Sequence, residues 1–291
     1  MALGIRKLLK RAMLTAAFSA ATLGIYSYEV EPNWVKTQNY DITTPKWPAD
    51  MPPLRVAAVS DLHVGSPNAT LPKIEKIVER INALNPDVIL LAGDFGTMKG
   101  EGLVLGGAYV PPEDIAKMLK NLKAPLGVYA VLGNHETYNG AKEMTEALEK
   151  VGIRVLDNES VLLEKDGRKF FIAGLEDETS QRPDWNKALK GIDEKSPVIA
   201  FMHDPSTFVD MNDKPALAIA GHTHGGQFIP FLVEYFRDPV TRAPGKYLYG
   251  HFNENGRELI VTSGIGTCHL PLRLGARPEI VSVTVRPPGK P

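Results

Sequence analysis

Two histidine-bearing strings, Gly133-Asn134-His135-Glu136 and Gly221-His222-Thr223-His224, follow Asp61-Leu62-His63 and Gly93-Asp94 along the chain, with His203 between them. Two Asp (Asp61, Asp94), four His (His63, His203, His222, His224) and Asn134 make a mixed oxygen and imidazole donor set. Such donors suit Mn, Fe or Zn, and the lack of cysteine among them argues against a closed structural zinc site. Two divalent ions carry four positive charges and the two carboxylates return only two, so a bridging hydroxide would still leave one. A phosphate ester is the anion such a centre favours. Paired ions acidify a bridging water and clamp phosphoryl oxygens, so hydrolysis by metal-bound hydroxide is the expected chemistry. Mn is the first expectation, with Fe, Zn or Mg as alternatives.

Separated residues can meet only if the fold gathers them, and the apolar runs indicate how. Residues 54–60, 88–92 and 126–132 read as strands. Between them stand helical patterns at 113–122 and 141–151 and an amphipathic helix with Ile74, Ile77, Val78 and Ile81 on one face. Strand–helix alternation implies an α/β core. Beyond Gly152, residues 161–164 and 169–173 flank Asp166-Gly167 as a hairpin, and 198–202, 216–220, 258–262 and 279–285 add strands. Two packed sheets with helices outside are expected. Each candidate ligand then follows the carboxyl end of a strand, where ligands of open α/β folds gather. If extension continues past residue 60, alternation would point Asp61 and His63 to one face.

The N-terminus differs from the rest. Arg6, Lys7, Lys10 and Arg11 precede an uncharged stretch from Ala12 to Tyr28, and Glu29 and Glu31 follow it. Residues 1–30 therefore read as a membrane anchor or signal segment, and the charge asymmetry places the remainder outside the cytoplasm, periplasmic or at the cell surface. Residues 31–53, with five prolines, read as a tether, and 54–291 as the catalytic domain. A net charge of −1 gives no broad attraction for nucleic acid, which is not an expected partner. The single cysteine, Cys268, excludes an intramolecular disulfide.

Asp61-x-His63, Gly93-Asp94, Gly133-Asn134-His135-Glu136, His203 and Gly221-His222-x-His224 together resemble the calcineurin-like metallophosphoesterases. The resemblance implies a four-layer α/β/β/α sandwich. It also implies that Asp61, His63 and His224 hold one metal, that Asn134, His203 and His222 hold the other, and that Asp94 bridges them. His135 would face the substrate and assist the leaving group. Segments 221–227, 263–266, 270–273 and 277–279 are similar to a membrane-associated bacterial subgroup, some of whose members hydrolyse the pyrophosphate of UDP-2,3-diacylglucosamine in lipid A synthesis. That substrate arises in the cytoplasm, against the outward orientation read above. The expected function is a dimetal hydrolase acting on a phosphoester or pyrophosphate at a membrane surface, with a lipid or nucleotide-lipid among the candidate substrates. A metal-binding envelope scaffold without turnover is the competing class.

Other residues carry weaker expectations. His269 and Arg273, in a glycine-rich late loop, are candidates to line the substrate cleft. His251 reads as a loop residue, and Glu176 and Asp177 as a solvated loop. The apolar run 228–236, followed by Arg237 and Arg242, reads either as core or as a flap that touches membrane or acyl chains.

Overall fold

The computed structural model describes residues 2–99, 104–178, 183–229, 241 and 243–289. Helix α1 (Ala2–Ile25) continues through a π-helical turn (Tyr26–Val30) and a 3-10 turn (Glu31–Asn33). Within Gly4–Asn33 the most apolar window has a mean hydropathy of 1.2, and among the described residues nothing covers it.

Among the described residues the strands form two six-stranded mixed sheets. The first runs in the order β1 (Lys36–Thr43), β12 (Glu279–Arg286), β2 (Leu54–Val59), β3 (Val88–Ala92), β4 (Val128–Val131) and β5 (Arg154–Val155), with only the β12–β2 pair antiparallel. The second runs β10 (Gly250–Glu254), β11 (Arg257–Val261), β9 (Leu217–Ala220), β8 (Val198–Phe201), β7 (Arg168–Gly174) and β6 (Glu159–Lys165), antiparallel only at its two edges.

Period-two alternation sorts the side chains into layers. In the first sheet Ala57, Val59, Ile89, Leu91 and Ala130 pack against α2 (Leu71–Ala83), α3 (Pro112–Leu119) and α5 (Ala141–Lys150). The alternate residues Val56, Ala58, Val88, Leu90 and Val131 meet Phe170, Ile172, Ile199, Phe201 and Ile219 of the second sheet. The outer face of that sheet, through Ala200, Ala218 and Val261, packs on Trp185 and Ala188 of α6 (Trp185–Ala188) and on Phe208. The layers are thus helix, sheet, sheet, helix. Val88 to Ala92 has no exposed member, the signature of a strand buried on both faces.

One expected segment differs. Residues 31–53 do not form a tether throughout, because Lys36–Thr43 is strand β1, paired in register with β12 from Lys36↔Glu279 to Thr43↔Arg286. Ile42 and Trp47 are buried, and the Trp47 ring lies edge-on to Phe170 at 5.5 Å. The strand is polar because it is an edge, with one exposed side, so it shows no apolar run. His251 likewise lies in β10 rather than a loop, its Nε2 2.6 Å from a Glu258 carboxylate oxygen.

Candidate metal centre

The parallel strands of both sheets end at one edge of the sandwich, and the loops leaving β2, β3, β4, β8 and β9 converge there. Asp61, His63, Asp94, His203, His222 and His224 are all buried. The way they are presented differs from simple alternation. Asp61, His63, Asp94, His222 and His224 have φ of 53°, 42°, 54°, 70° and 51°. Five left-handed non-glycine residues in one site mark strained backbone of the kind that collects where function requires it. Asp61 and His63 therefore reach a common point by tight turning rather than by continued extension.

The donor atoms form two overlapping sets. In one, His63 Nε2 and His224 Nε2 stand 2.9 Å apart, and Asp61 Oδ1 lies 3.5 Å from His224 Nε2 and 3.9 Å from His63 Nε2. In the other, His203 Nε2 lies 3.0 Å from His222 Nδ1 and 3.2 Å from Asn134 Oδ1. Asp94 Oδ2 belongs to both, at 3.6 Å from His63 Nε2 and 3.3 Å from His203 Nε2. Neighbouring ligands on one ion with bonds of about 2.1 Å stand about 3.0 to 3.4 Å apart, and these separations bracket that range. Asp61 Oδ1 is buried and accepts no hydrogen bond, which fits a cation as its missing partner.

Hydrogen bonds behind the rings decide which nitrogen faces inward. His203 Nδ1 donates to the Ala92 carbonyl at 2.8 Å, leaving Nε2 as a lone pair directed at the centre. His222 turns Nδ1 inward and its Nε2 toward Asp204 Oδ2 at 3.4 Å. Asp204 is itself fixed, accepting from Ser206 N at 2.7 Å and Thr241 Oγ1 at 2.6 Å. Oδ2 accepts no hydrogen bond at that distance, so the carboxylate stands beside the ring, where proteins place an acid to orient a metal-binding imidazole, without closing the bond.

Electrostatics follow from burial. Burial and the neighbouring imidazoles hold His63 and His224 well below the ordinary histidine range, so both rings are neutral. Burial also acts against charge on Asp94, but His135 and His203 outweigh it and hold its carboxyl well below the usual range. His203 shows the counterpart: burial opposes its charge, yet Asp94 outweighs that and raises it well above the ordinary value. Burial raises Asp61, with His203 opposing and Asp94 reinforcing. Without ions, Asp94 favours a proton on His203, and a cation entering the centre must displace that proton to reach the Nε2 lone pair.

Asn134 and His135 open helix α4 (Asn134–Asn139). His135 N donates to Asp94 Oδ1 at 3.0 Å, and its Nε2 lies 3.9 Å from Asp94 Oδ2 and 3.8 Å from Cys268 Sγ. A Cβ at Gly133 would stand 2.2 Å from Asp94 Oδ1, so only glycine allows the β4 loop this close to that carboxylate.

Two supporting carboxylates escaped the sequence reading. Glu136 accepts from the backbone N–H of Asp94, Phe95 and Gly133 at 2.8–3.0 Å and of Gly96 at 3.4 Å, tying the loops after β3 and β4 together. Its signal was in the sequence: glutamate three residues into a helix is the capping-box position. Asp204 had only its place beside His203. Cys268, close to His135, also carried no sequence signal, and burial with the nearby Asp94 pushes its thiol up to about 12.

Arg273 does not line a cleft. It is fully buried, and its guanidinium donates to the carbonyls of Gly266, Ser263 and Ala276, with Nη2 3.4 Å from His224 Nδ1. It is a brace beneath the second loop pair. His269 is exposed beside it. Asp177 is buried at 3% exposure rather than solvated, while Glu176 is half-buried. Of the apolar run 228–236 only Phe228 and Ile229 are described; the rest, with Arg237 and Arg242, lies outside the described residues.

Comparison with known proteins agrees with this geometry. Residues 54–226 match the model of the calcineurin-like phosphoesterase family. A metallophosphoesterase of Aquifex aeolicus is 32% identical over 94% of this chain and 99% of its own length. A metallophosphoesterase of Caenorhabditis elegans is 30% identical over 90% of this chain, which spans only 54% of that relative. A transmembrane protein with a metallophosphoesterase domain from Danio rerio is 27% identical over 95% of this chain and 63% of its own length. Family match, full-length similarity and the converging donor atoms agree: the chain belongs to the calcineurin-like phosphoesterase family and is a metal-dependent phosphoesterase.

Proposed function

We propose that this chain is a two-metal hydrolase of phosphoesters that works at a membrane surface, held there by its N-terminal helix with the catalytic domain outside the cytoplasm. The family binds two divalent metals, and the clusters described above are the candidate ligands. Asp61, His63 and His224 hold one ion, Asn134, His203 and His222 the other, and Asp94 belongs to both. Two ions bound there supply Lewis acidity toward a phosphoryl oxygen and a water acidic enough to react at neutral pH. The protein supplies the rest. Asp94 keeps the two ligand sets in register, and the Ala92 carbonyl and Asp204 orient the rings of His203 and His222. His135 has no hydrogen bond at Nδ1 and sits beside the carboxylate common to both sets. It holds a proton for the departing oxygen, the role in which an imidazole assists an alkoxide leaving group.

The observation that carries this reading is the position of Asp94 Oδ2, within 3.6 Å of one ligand set and 3.3 Å of the other. The uncovered apolar helix and the transmembrane description of the Danio rerio relative support the membrane. The test is direct. The full chain, purified in neutral detergent and loaded separately with Mn, Fe, Zn or Mg, should release nitrophenol from a nitrophenyl mono- or diester and hold two ions. Failure with all four metals would refute the reading, and the best metal would identify the cofactor, for which Mn is the expectation.

A narrower reading is hydrolysis of the UDP-2,3-diacylglucosamine pyrophosphate. It is favoured by the placement of segment 263–273, the part similar to that subgroup, directly against His224 through Arg273. Mass spectrometry of products from UDP-lipids, extracted lipids and nucleotides would separate it from simpler phosphoesters.

A further inference from the structure

We propose that a basic cleft at the root of the N-terminal helix, separate from the metal centre, binds the phosphate of an anionic phospholipid headgroup. The inference rests on reading that helix as a membrane anchor. The cleft is a cavity of about 210 Å3 lined by Lys36, Lys246 and Arg277 with Ser263, Tyr249 and the backbone at Gly225. No carboxylate is among its lining residues. Behind the cations stand two acids: Lys36 pairs with buried Glu279 at 3.1 Å, and Lys246 pairs with Glu254. Arg277 pairs with no carboxylate among the described residues. Its Nε donates to the Trp34 carbonyl at 3.1 Å and its guanidinium lies over the Trp34 ring at 3.8 Å. Glu31 also reaches the lining, its Oε1 accepting from Ala276 N at 2.7 Å, so what sets Arg277 apart is that, of the three cations, it alone has no carboxylate at ion-pair distance among the described residues and is the charge a phosphodiester would meet.

Position selects the source of that phosphate. The uncharged stretch ends at Tyr28 and the helical turns after it at Asn33; Trp34 follows 53% exposed, and Lys36 is the first residue of β1. The polar layer on each side of a bilayer is about 5 to 8 Å deep, and tryptophan is enriched there. The cleft therefore opens within the headgroup layer.

The cleft cannot drift from the membrane, because its wall is bonded to the helix root. Arg273 N donates to the Ser27 carbonyl at 2.8 Å, Ala276 N to Glu31 Oε1 at 2.7 Å, and Lys73 Nζ to the Pro32 carbonyl at 2.7 Å. Gly225, also in the lining, follows His224 directly. A headgroup seated in the cleft would hold the metal centre at one distance and tilt above the lipid surface.

The experiment uses the full chain in neutral detergent, with equal low amounts of phosphatidylglycerol and phosphatidylcholine, and counts retained lipids by native mass spectrometry. One phosphatidylglycerol should be retained in preference to phosphatidylcholine. Replacing Arg277→Gln should lower that preference about fivefold, whereas Arg277→Lys should keep it and Lys169→Ala, an exposed charge elsewhere, should not alter it. Equal retention by wild type and Arg277→Gln would overturn the proposal. Displacement of the lipid by millimolar inorganic phosphate would make the cleft a free-anion site and overturn the lipid assignment. Flotation with neutral phosphatidylcholine vesicles separates the two readings. A chain that does not float loses its anchor, and one that floats without preferring phosphatidylglycerol loses only the cleft.

Discussion

The loops leaving the first sheet and those leaving the second bring comparable donor sets to the centre, yet they are fixed by opposite kinds of group. Behind Asp94 and Asn134 lies an acid: the Glu136 carboxylate, accepting four backbone N–H groups from the loops after β3 and β4. Behind His224 lies a cation, the Arg273 guanidinium, donating to three backbone carbonyls. The first half therefore brings Asp61, Asp94 and Glu136 together, while the second sets the buried guanidinium of Arg273 beside His224. Cations entering the centre relieve repulsion in the first half and find the second already organised. Metal binding should thus order one set of loops much more than the other.

The largest test removes the atom common to both halves. Asp94→Asn should lose at least one ion and about 10³-fold or more in turnover, because several kcal/mol of charge stabilisation depend on it. Metal analysis with kinetics on a soluble ester would check this, and two tightly held ions with normal turnover would end the bridging assignment.

His135 comes next, since it touches both halves of the centre through Asp94 and Cys268. His135→Ala should keep both metals. It should lose about 10²-fold or more on alkyl phosphate esters and far less on nitrophenyl esters, because only the basic leaving group needs a proton. Equal losses on both would make His135 a phosphate-positioning residue, and missing metal would make it a ligand.

The two supporting carboxylates test the asymmetry itself. Asp204→Asn should weaken one ion by about 10- to 100-fold, the usual effect of loosening a histidine from behind. Glu136→Gln should behave differently. Burial and then Asp94 push the metal-free Glu136 up to about 8, while both of its oxygens accept backbone N–H groups, two of which the Nε2 of a glutamine cannot serve. With its pKa raised in the folded state, its contribution to stability is present at acid pH and lost as pH rises through about 8. The variant should therefore melt below wild type even when stripped of metal, and should gain less stability than wild type when ions are added. Calorimetry with and without chelator decides it; equal gains would remove Glu136 from the metal response.

Sequence made some of this legible and not the rest. The donor residues could be read because each follows an apolar run whose strand character is local, as in Val88 to Ala92 before Asp94. The left-handed turns at Asp61 and His63 could not, since nothing in Ser60 to Val64 resembles a turn signal; the conformation is imposed by contacts such as Asp61 N with the Gly93 carbonyl at 2.9 Å. Strand β1 was hidden for a similar reason. Its partner β12 lies at the far end of the chain, and a polar edge strand beside prolines has no periodicity of its own. Arg273 looked like a cleft residue because arginine is seldom fully buried. Three carbonyls waiting for a donor are invisible in a sequence.

The smallest effect expected concerns the place where the helix root meets both halves. Lys73, in α2, donates to the carbonyls of Pro32 at 2.7 Å and Asn68 at 2.6 Å, and burial followed by the charge of Arg273 lowers it from 10.5 to about 7. The unfolded chain then binds more protons than the folded one between about pH 7 and 10.5, so this group makes stability rise with pH across that window. Lys73→Met keeps the length and apolar stem but removes the titration. Melting of the full chain in neutral detergent at pH 7, 8.5 and 10 should show wild type and variant close together at pH 7. Wild type should then pull ahead toward pH 10 by on the order of 1 to 3 kcal/mol. Subtracting the two curves cancels the titrating groups that do not interact with Lys73. A flat difference would mean that the amine stays charged and hydrated, and that the root of the helix is held by Arg273 and Glu31 alone.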